Sequence, residues 1–187
     1  MNHPIDVSNT VLHTPRLTLR PWRLRDLDDL FAYARDPEVG PNAGWPAHPS
    51  RDHSVPILLR FITEKKTFAI EYEGKVVGSI GIENYNEKLL PQLDALRCRE
   101  IGFVLSRECW GMGLMTEAVR GVIRFLFEDV GLDAVVCGHF LRNARSARVQ
   151  EKCGFRPCAL SYIRTAAGRY EAEMMRVLTK QDHLEKA

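Results

Sequence analysis

The stretch Trp110-Gly111-Met112-Gly113-Leu114-Met115-Thr116-Glu117-Ala118 decides how this chain is to be read. Two glycines stand directly before a segment of helical periodicity. Met115, Val119, Val122, Ile123 and Leu126 recur on one face with Arg120 and Arg124 outside it, which predicts an amphipathic helix over 113–129. A helix start leaves its first backbone N–H groups without intrahelical partners and carries partial positive charge. Glycines beside it let a ligand approach the backbone closely, because no Cβ is in the way. The expected product is an anion site that suits a diphosphate.

Three readings share such a loop. A P-loop nucleotidase needs G-x-x-x-x-G-K-[ST], and no such lysine is present. A dinucleotide fold needs a third Gly or Ala where Thr116 stands, within an early βαβ unit, whereas this motif lies near the middle of the chain. The plainest reading is a helix start with two incidental glycines, so the flanking sequence has to arbitrate.

Before the loop, Arg99–Leu105 reads as a strand, and Thr67–Tyr72 and Lys75–Asn84 as a hairpin turning at Glu73-Gly74. Further upstream, Arg16-Leu17-Thr18-Leu19-Arg20 alternates polar and apolar residues as a half-buried strand does. A helix follows from about Leu24. The proline-rich run 36–49 is loop, and Ser50 offers the N-cap of a second helix. After the loop, Gly131 ends the long helix in the usual left-handed position. Ala134–Phe140 is an apolar strand, Asn143 opens a short helix, and a hairpin of roughly 156–164 and 170–178 turns at Ala166-Ala167-Gly168. The order β-α-α-β-β-β-α-β-α-β-β describes one α/β domain with a mixed central sheet and about four helices. Residues 1–14 are expected to be a flexible tail and 15–187 the domain.

Composition narrows the functional classes. A net charge of +2 gives no ground for a nucleic-acid or anionic-membrane partner. No run approaches the ~18 apolar residues of a membrane span, and Met1–Thr14 lacks a signal-peptide core. The five scattered cysteines argue against a disulfide framework and for a reducing, cytoplasmic setting. Cys137, His139, Cys153 and Cys158 have none of the spacings that hold zinc, so no metal is expected.

From Glu100 to Phe155 the chain resembles the GCN5-related N-acetyltransferases (GNAT), and within them the ribosomal-protein and peptide N-terminal acetyltransferases of the RimJ/RimL type. The resemblance rests on Glu100-Ile101-Gly102-Phe103, Trp110-Gly111-Met112-Gly113, Thr116-Glu117-Ala118, Asn143-x-x-Ser146 and Glu151-Lys152-Cys153-Gly154-Phe155, and on the spacing between them. Glu108 departs from the Gln or Arg that the broad family prefers three residues before the first glycine, a departure common beside Trp-Gly in this subgroup.

The resemblance implies a single-domain GNAT fold whose fourth strand (99–105) splays from its fifth (134–140), and acetyl-coenzyme A as acetyl donor. It implies that Phe103, Val104 and Leu105 bond the pantetheine arm like an added strand, and that Trp110, Gly111, Met112, Gly113, Leu114, Met115 and Thr116 hold the diphosphate. Gly102 marks either a bulge that opens the gap or a close-packed glycine. Asn143 is the cap of its helix and a contact to the pantetheine amide. Glu100 matches a strand glutamate that serves as general base, against the reading of an exposed carboxylate or amine contact. Ser146 is the candidate proton donor to the departing thiolate, against mere support of the first helical turn. His139 is a spare acid–base group, and Arg142, Arg145, Arg148 and Lys152 either meet phosphates or form a solvated helix face.

The acceptor is expected to be a primary amine: a protein or peptide N-terminus, with a polyamine or aminoglycoside as alternative. A non-catalytic acyl-coenzyme-A sensor is a reading from another class. Trp45, Tyr85, Tyr162 and Tyr170, in or beside the loops near 37–49, 85–96 and 164–170, are candidates to line the acceptor pocket. Homodimerisation is open, since the last hairpin can pack internally or against a second chain.

Overall fold

The computed structural model describes residues 1–185. Among them eight strands run in the order β1-β2-β3-β4-β5-β6-β8-β7, with five α-helices. In sequence these are β1 Leu12–His13, β2 Leu17–Pro21, α1 Leu27–Ala34, α2 Arg51–Glu64, β3 Thr67–Tyr72 and β4 Lys75–Glu83. They continue with β5 Cys98–Leu105, α3 Leu114–Glu128, β6 Ala134–Phe140, α4 Ala144–Lys152, β7 Arg156–Arg164, β8 Tyr170–Thr179 and α5 Lys180–Leu184. This is the α/β mixed-sheet architecture expected, with one short strand and one short helix more. Two compact units divide the chain, and their boundaries fall inside β4, β5 and α3.

The first unit comprises residues 5–81 and 103–118. Strands β1 to β4 form an antiparallel meander, with Leu12 opposite Leu19, Leu19 opposite Ile70 and Phe68 opposite Ile80. Ser50 caps α2 by accepting the His53 N–H, as its position before the helix predicts. The helices cover Trp22, Leu30, Tyr33, Leu58, Ala69 and Val76, which form one buried cluster. Arg20 is buried with Asp26 in a two-pronged pair at 2.8 and 3.0 Å, and its Nε reaches Glu71 at 2.7 Å. A buried guanidinium is tolerated because its donors are matched to carboxylates in fork geometry.

The second unit comprises residues 1–4, 82–102 and 119 onward. Here β6 lies antiparallel to β8 from Ala134↔Thr179 to Phe140↔Glu173, and β8 carries β7 on its other edge. Strand β5 pairs with β6 in parallel at Cys98↔Ala134, Arg99↔Val135 and Glu100↔Val136. That ladder ends there although both strands run on.

The predicted stripe of α3 is buried, with Val119, Val122, Ile123 and Leu126 at most 1% exposed. The segment 85–96, read as a surface loop, contributes Tyr85, Leu90 and Leu93 to a cluster with Cys98, Val136 and Met175. At the start of the chain, Asn2 bridges to Cys98 and its side chain accepts the Tyr85 N–H at 2.8 Å. All five cysteines are free thiols.

Candidate active site

The predicted site residues fall into two groups, one in each unit. In the first unit, Gly111 and Gly113 adopt φ of +80° and +78°. Residues with a Cβ rarely enter this left-handed region, so the two glycines are a backbone requirement of the turn. A Cβ built on Gly111 would meet nothing within 4 Å, so the exposed face of the turn is open to a ligand. The Gly113 carbonyl accepts the Glu117 N–H at 3.1 Å and so starts the helix. Trp110 fastens the turn to the preceding strand by donating its indole N–H to the Leu105 carbonyl at 2.9 Å.

Glu117 braces the same turn. Its carboxylate accepts from the Thr14 hydroxyl at 2.6 Å, the Arg16 N–H at 2.8 Å and Arg16 Nε at 2.7 Å. Arg16 also donates to the Met112 carbonyl at 3.0 Å. Burial pushes the Glu117 carboxyl up, but the bonds from Thr14 and Arg16 outweigh it and hold it below its ordinary value. In the sequence, the Thr116-Glu117 pair signals only likeness to the family. Its second member proves to be the strut between the start of β2 and the phosphate-type loop.

In the second unit, Glu100 stands at the last paired position of β5, beside Val136. Cross-strand partners share a face, and side chains alternate along a strand. Val136, Gly138 and Phe140 therefore face the same way as Glu100 and as Met175 and Glu173 of β8. A Cβ on Gly138 would collide with the Glu173 carboxylate and come within 3.0 Å of Met175 Sδ, so Glu173 lies over the bare backbone of Gly138. Burial first, then the nearby Glu173 and Glu83 carboxylates, push Glu100 up to about 7. Burial raises Glu173 as well. Glu173 was missed from the sequence, yet it carried a signal, being a carboxylate in phase with Met175 and Val177 on a buried strand face.

Asn143 caps α4 by accepting the Ser146 N–H at 3.1 Å, as predicted. Ser146 is half-buried one turn before Gln150, which is completely buried. His139 is 8% exposed and its Nδ1 lies 2.9 Å from Gln150 Oε1. Burial lowers its pKa. Nothing would meet a Cβ on Gly102 within 4 Å, so close packing does not explain that glycine.

Among the other candidates, Arg142, in the turn before α4, pairs with Glu171 of β8, and Arg148 pairs with Glu151 on the exposed face of α4. Tyr162 and Tyr170 are 70% and 74% exposed. The expectation that Tyr85 lines an acceptor pocket is corrected. Its ring is 3% exposed within the core cluster, because the 85–96 segment folds inward on Leu90 and Leu93.

Comparisons with known proteins agree with this arrangement. An "Acetyltransferase (GNAT) domain" family model matches residues 16–156. The "FsC-acetyl coenzyme A-N(2)-transacetylase" of Aspergillus fumigatus is 26% identical over 86% of this chain and 68% of its own length. The "Probable N-acetyltransferase YjcK" of Bacillus subtilis is 43% identical over 33% of this chain, and the match spans 34% of that relative's length. Among solved structures, a GNAT-family acetyltransferase from Bacillus anthracis superposes with a TM-score of 0.80 at 19% identity, over 92% of this chain and 99% of that one. Mycobacterium smegmatis RimJ, solved with CoA-disulfide, superposes with a TM-score of 0.70 at 21% identity, over 92% of this chain and 87% of that one. At these identities the two structures speak for the fold alone. No helix among the described residues is long and apolar enough to cross a membrane. With its glycine turn at the head of α3, its short parallel ladder between β5 and β6, and a family model spanning residues 16–156, the chain belongs to the GNAT acetyltransferase family, whose members are acetyl-coenzyme-A-dependent N-acyltransferases.

Proposed function

We propose that this chain moves the acetyl group of acetyl-coenzyme A to a primary amine, with a protein or peptide N-terminal amine as the favoured acceptor. The observation that carries the reading is Glu100, a partly buried strand carboxylate whose proton affinity is raised to about 7. A base poised near neutrality is a stronger proton acceptor than an ordinary carboxylate and is still ionised in about half of the molecules at neutral pH.

The turn Trp110–Thr116 fits the donor's diphosphate. Its two glycines are set in the left-handed region, and the space over Gly111 is open. Backbone groups of Phe103, Val104 and Leu105 and the side-chain amide of Asn143 would hold the pantetheine arm. When bound, the donor supplies an activated acyl carbon. The chain's own residues do the rest. Glu100, directly or through water, accepts the proton that frees the amine's lone pair. A backbone N–H of the Phe103–Leu105 strand stabilises negative charge on the acyl oxygen. As the C–N bond forms and the C–S bond breaks, Ser146 would donate a proton to the departing thiolate, and the second proton shed by the new amide nitrogen would restore the serine hydroxyl, directly or through water.

The peptide acceptor draws support from the "Putative ribosomal N-acetyltransferase YdaF" of Bacillus subtilis, which is 33% identical over 45% of this chain and 42% of its own length. A small-molecule amine is the second reading. It is favoured by the A. fumigatus relative, whose name places its transfer on an N(2) nitrogen and which matches over 86% of this chain. The test is a thiol-release screen with acetyl-coenzyme A against N-terminal peptides, polyamines and aminoglycosides. Release with peptides alone is expected. Release with small amines alone would install the second reading, and binding without release from any amine would replace both by an acyl-coenzyme-A sensor.

A further inference from the structure

His139, Gln150 and Ser146 form a hydrogen-bonded chain whose polarity can be worked out atom by atom. Gln150 is completely buried, and its side-chain amide offers two N–H donors and a carbonyl acceptor. Its Nε2 lies 3.0 Å from the backbone carbonyl of Gly138. A carbonyl can only accept, so the amide nitrogen must be on that side. The amide oxygen is therefore the atom 2.9 Å from His139 Nδ1, and an oxygen without a hydrogen requires Nδ1 to carry the proton. In the neutral ring, Nε2 then holds the lone pair. The second Nε2 hydrogen points at Ser146 Oγ, 3.3 Å away. Ser146 must accept that bond, so its own proton is directed elsewhere.

The placement has a reason in the sheet. Gly138 lies two residues beyond Val136, the last residue of β6 paired with β5. A strand carbonyl past the end of its ladder needs another donor, and the Gln150 amide supplies one. The spacing of four puts Ser146 and Gln150 on one face of α4, and Asn143 fixes the start of that helix by accepting the Ser146 N–H.

We propose that Gln150 is a positioning residue for acetyl transfer: by donating to Ser146 it keeps the serine proton available for the departing thiolate, and by accepting from His139 it locks that ring in the Nδ1–H form. The inference rests on the donor role proposed for Ser146. Gln150 touches no reacting atom and acts through the serine.

Two variants of matched size separate this role from simple packing. In Gln150→Met the hydroxyl loses its fixed partner and rotates, so kcat should fall by about 3- to 10-fold with KM for acetyl-coenzyme A unchanged. In Gln150→Glu the carboxylate accepts the serine proton, so kcat should fall by about 100-fold, to the level of Ser146→Ala, again with KM unchanged. A residue that only fills space would leave kcat near wild type in both variants, provided that they fold by circular dichroism. Wild-type kcat in both Gln150 variants, alongside a loss in Ser146→Ala, overturns the inference and leaves the acetyltransferase reading standing. Full turnover in Ser146→Ala overturns the donor role itself, which is a different failure. Independent of any variant, 15N NMR of the wild-type chain should find His139 protonated at Nδ1 at neutral pH. Protonation at Nε2 overturns the polarity derived above.

Discussion

At the scale of single residues, Glu100 ties stability to chemistry with opposite signs. Its carboxyl is raised from an ordinary value near 4.5 to about 7 by burial and by Glu173 and Glu83. The folded chain therefore binds this proton more tightly than the unfolded one. The stabilisation from the group is complete below about 4.5 and is lost as pH rises through 7. Above that, the buried charge works against folding by roughly 3 kcal/mol, at about 1.4 kcal/mol per pH unit. Glu100→Gln removes the charge and keeps the shape. Urea unfolding should show the variant more stable than wild type at pH 8 by on the order of 3 kcal/mol, and the difference should close as pH falls below about 4.5. Turnover should move the other way, dropping ~100-fold or more, because glutamine cannot take the ammonium proton. In the wild type, kcat/KM should rise with pH through about 7. A pH profile of the variant that keeps the same ascending limb would remove Glu100 as the base. Glu173 bears on the same number, and Glu173→Gln should shift that limb to lower pH by taking away one of the neighbouring charges.

At the scale of elements, local periodicity and local punctuation carried most of the fold. The stripe of α3, the Glu73-Gly74 hairpin, the Ser50 and Asn143 caps and the bounds of β6 were legible because each is set by residues within a few positions of one another. What escaped was long-range. The two residues of β1 have no period to read and exist only as partners of Thr18 and Leu19. Tyr85 looks like a surface aromatic among charged neighbours, yet it is buried by Leu90, Leu93 and Met175. The Gly138–Glu173 overlap and the His139–Gln150 bond join different elements, and no motif spans them. Glu117 is of the same kind, since the sequence places it in a helix and only the structure links it to Thr14 and Arg16. Its carboxyl lies below its ordinary value, so its stabilisation is present above about 4.5 and is lost as pH falls through the folded value. Glu117→Ala removes the shared acceptor of Thr14 and Arg16, whose donors then turn to the Leu17 carbonyl and to water, and should lower the unfolding free energy at pH 7 by about 1 kcal/mol. The difference from wild type should shrink under acid, where both chains lack the charge. Because Arg16 also holds the Met112 carbonyl, KM for acetyl-coenzyme A should rise several-fold while kcat changes little. An unchanged KM would detach the strut from the cofactor loop.

At the scale of the whole molecule, the family and the donor are read more securely than the acceptor, for a physical reason. In the proposed reading one donor imposes one set of backbone requirements, and Gly111 and Gly113 in the left-handed region and the Asn143 cap are the features that would meet them. The acceptor is met by loops that answer to a different partner in each relative. A test that needs no acceptor therefore reaches the donor side alone. A ligand that binds only the folded chain stabilises it by RT ln(1 + [L]/Kd), about 2.7 kcal/mol at a hundredfold excess over Kd. For a chain of this length that is a rise of roughly 5 to 10 °C in Tm. Acetyl-coenzyme A and coenzyme A should both produce it, since the diphosphate and the pantetheine arm are common to them. Met112 is 43% exposed at the tip of the turn, so Met112→Glu should leave the Tm of the unliganded chain nearly unchanged. The new carboxylate sets a like charge beside the phosphates and should reduce the ligand-induced rise by at least half. Equal shifts in both proteins would move the phosphate site away from this turn. No shift in the wild type at millimolar ligand would reject acyl-coenzyme-A binding altogether, and with it the enzyme and sensor readings alike.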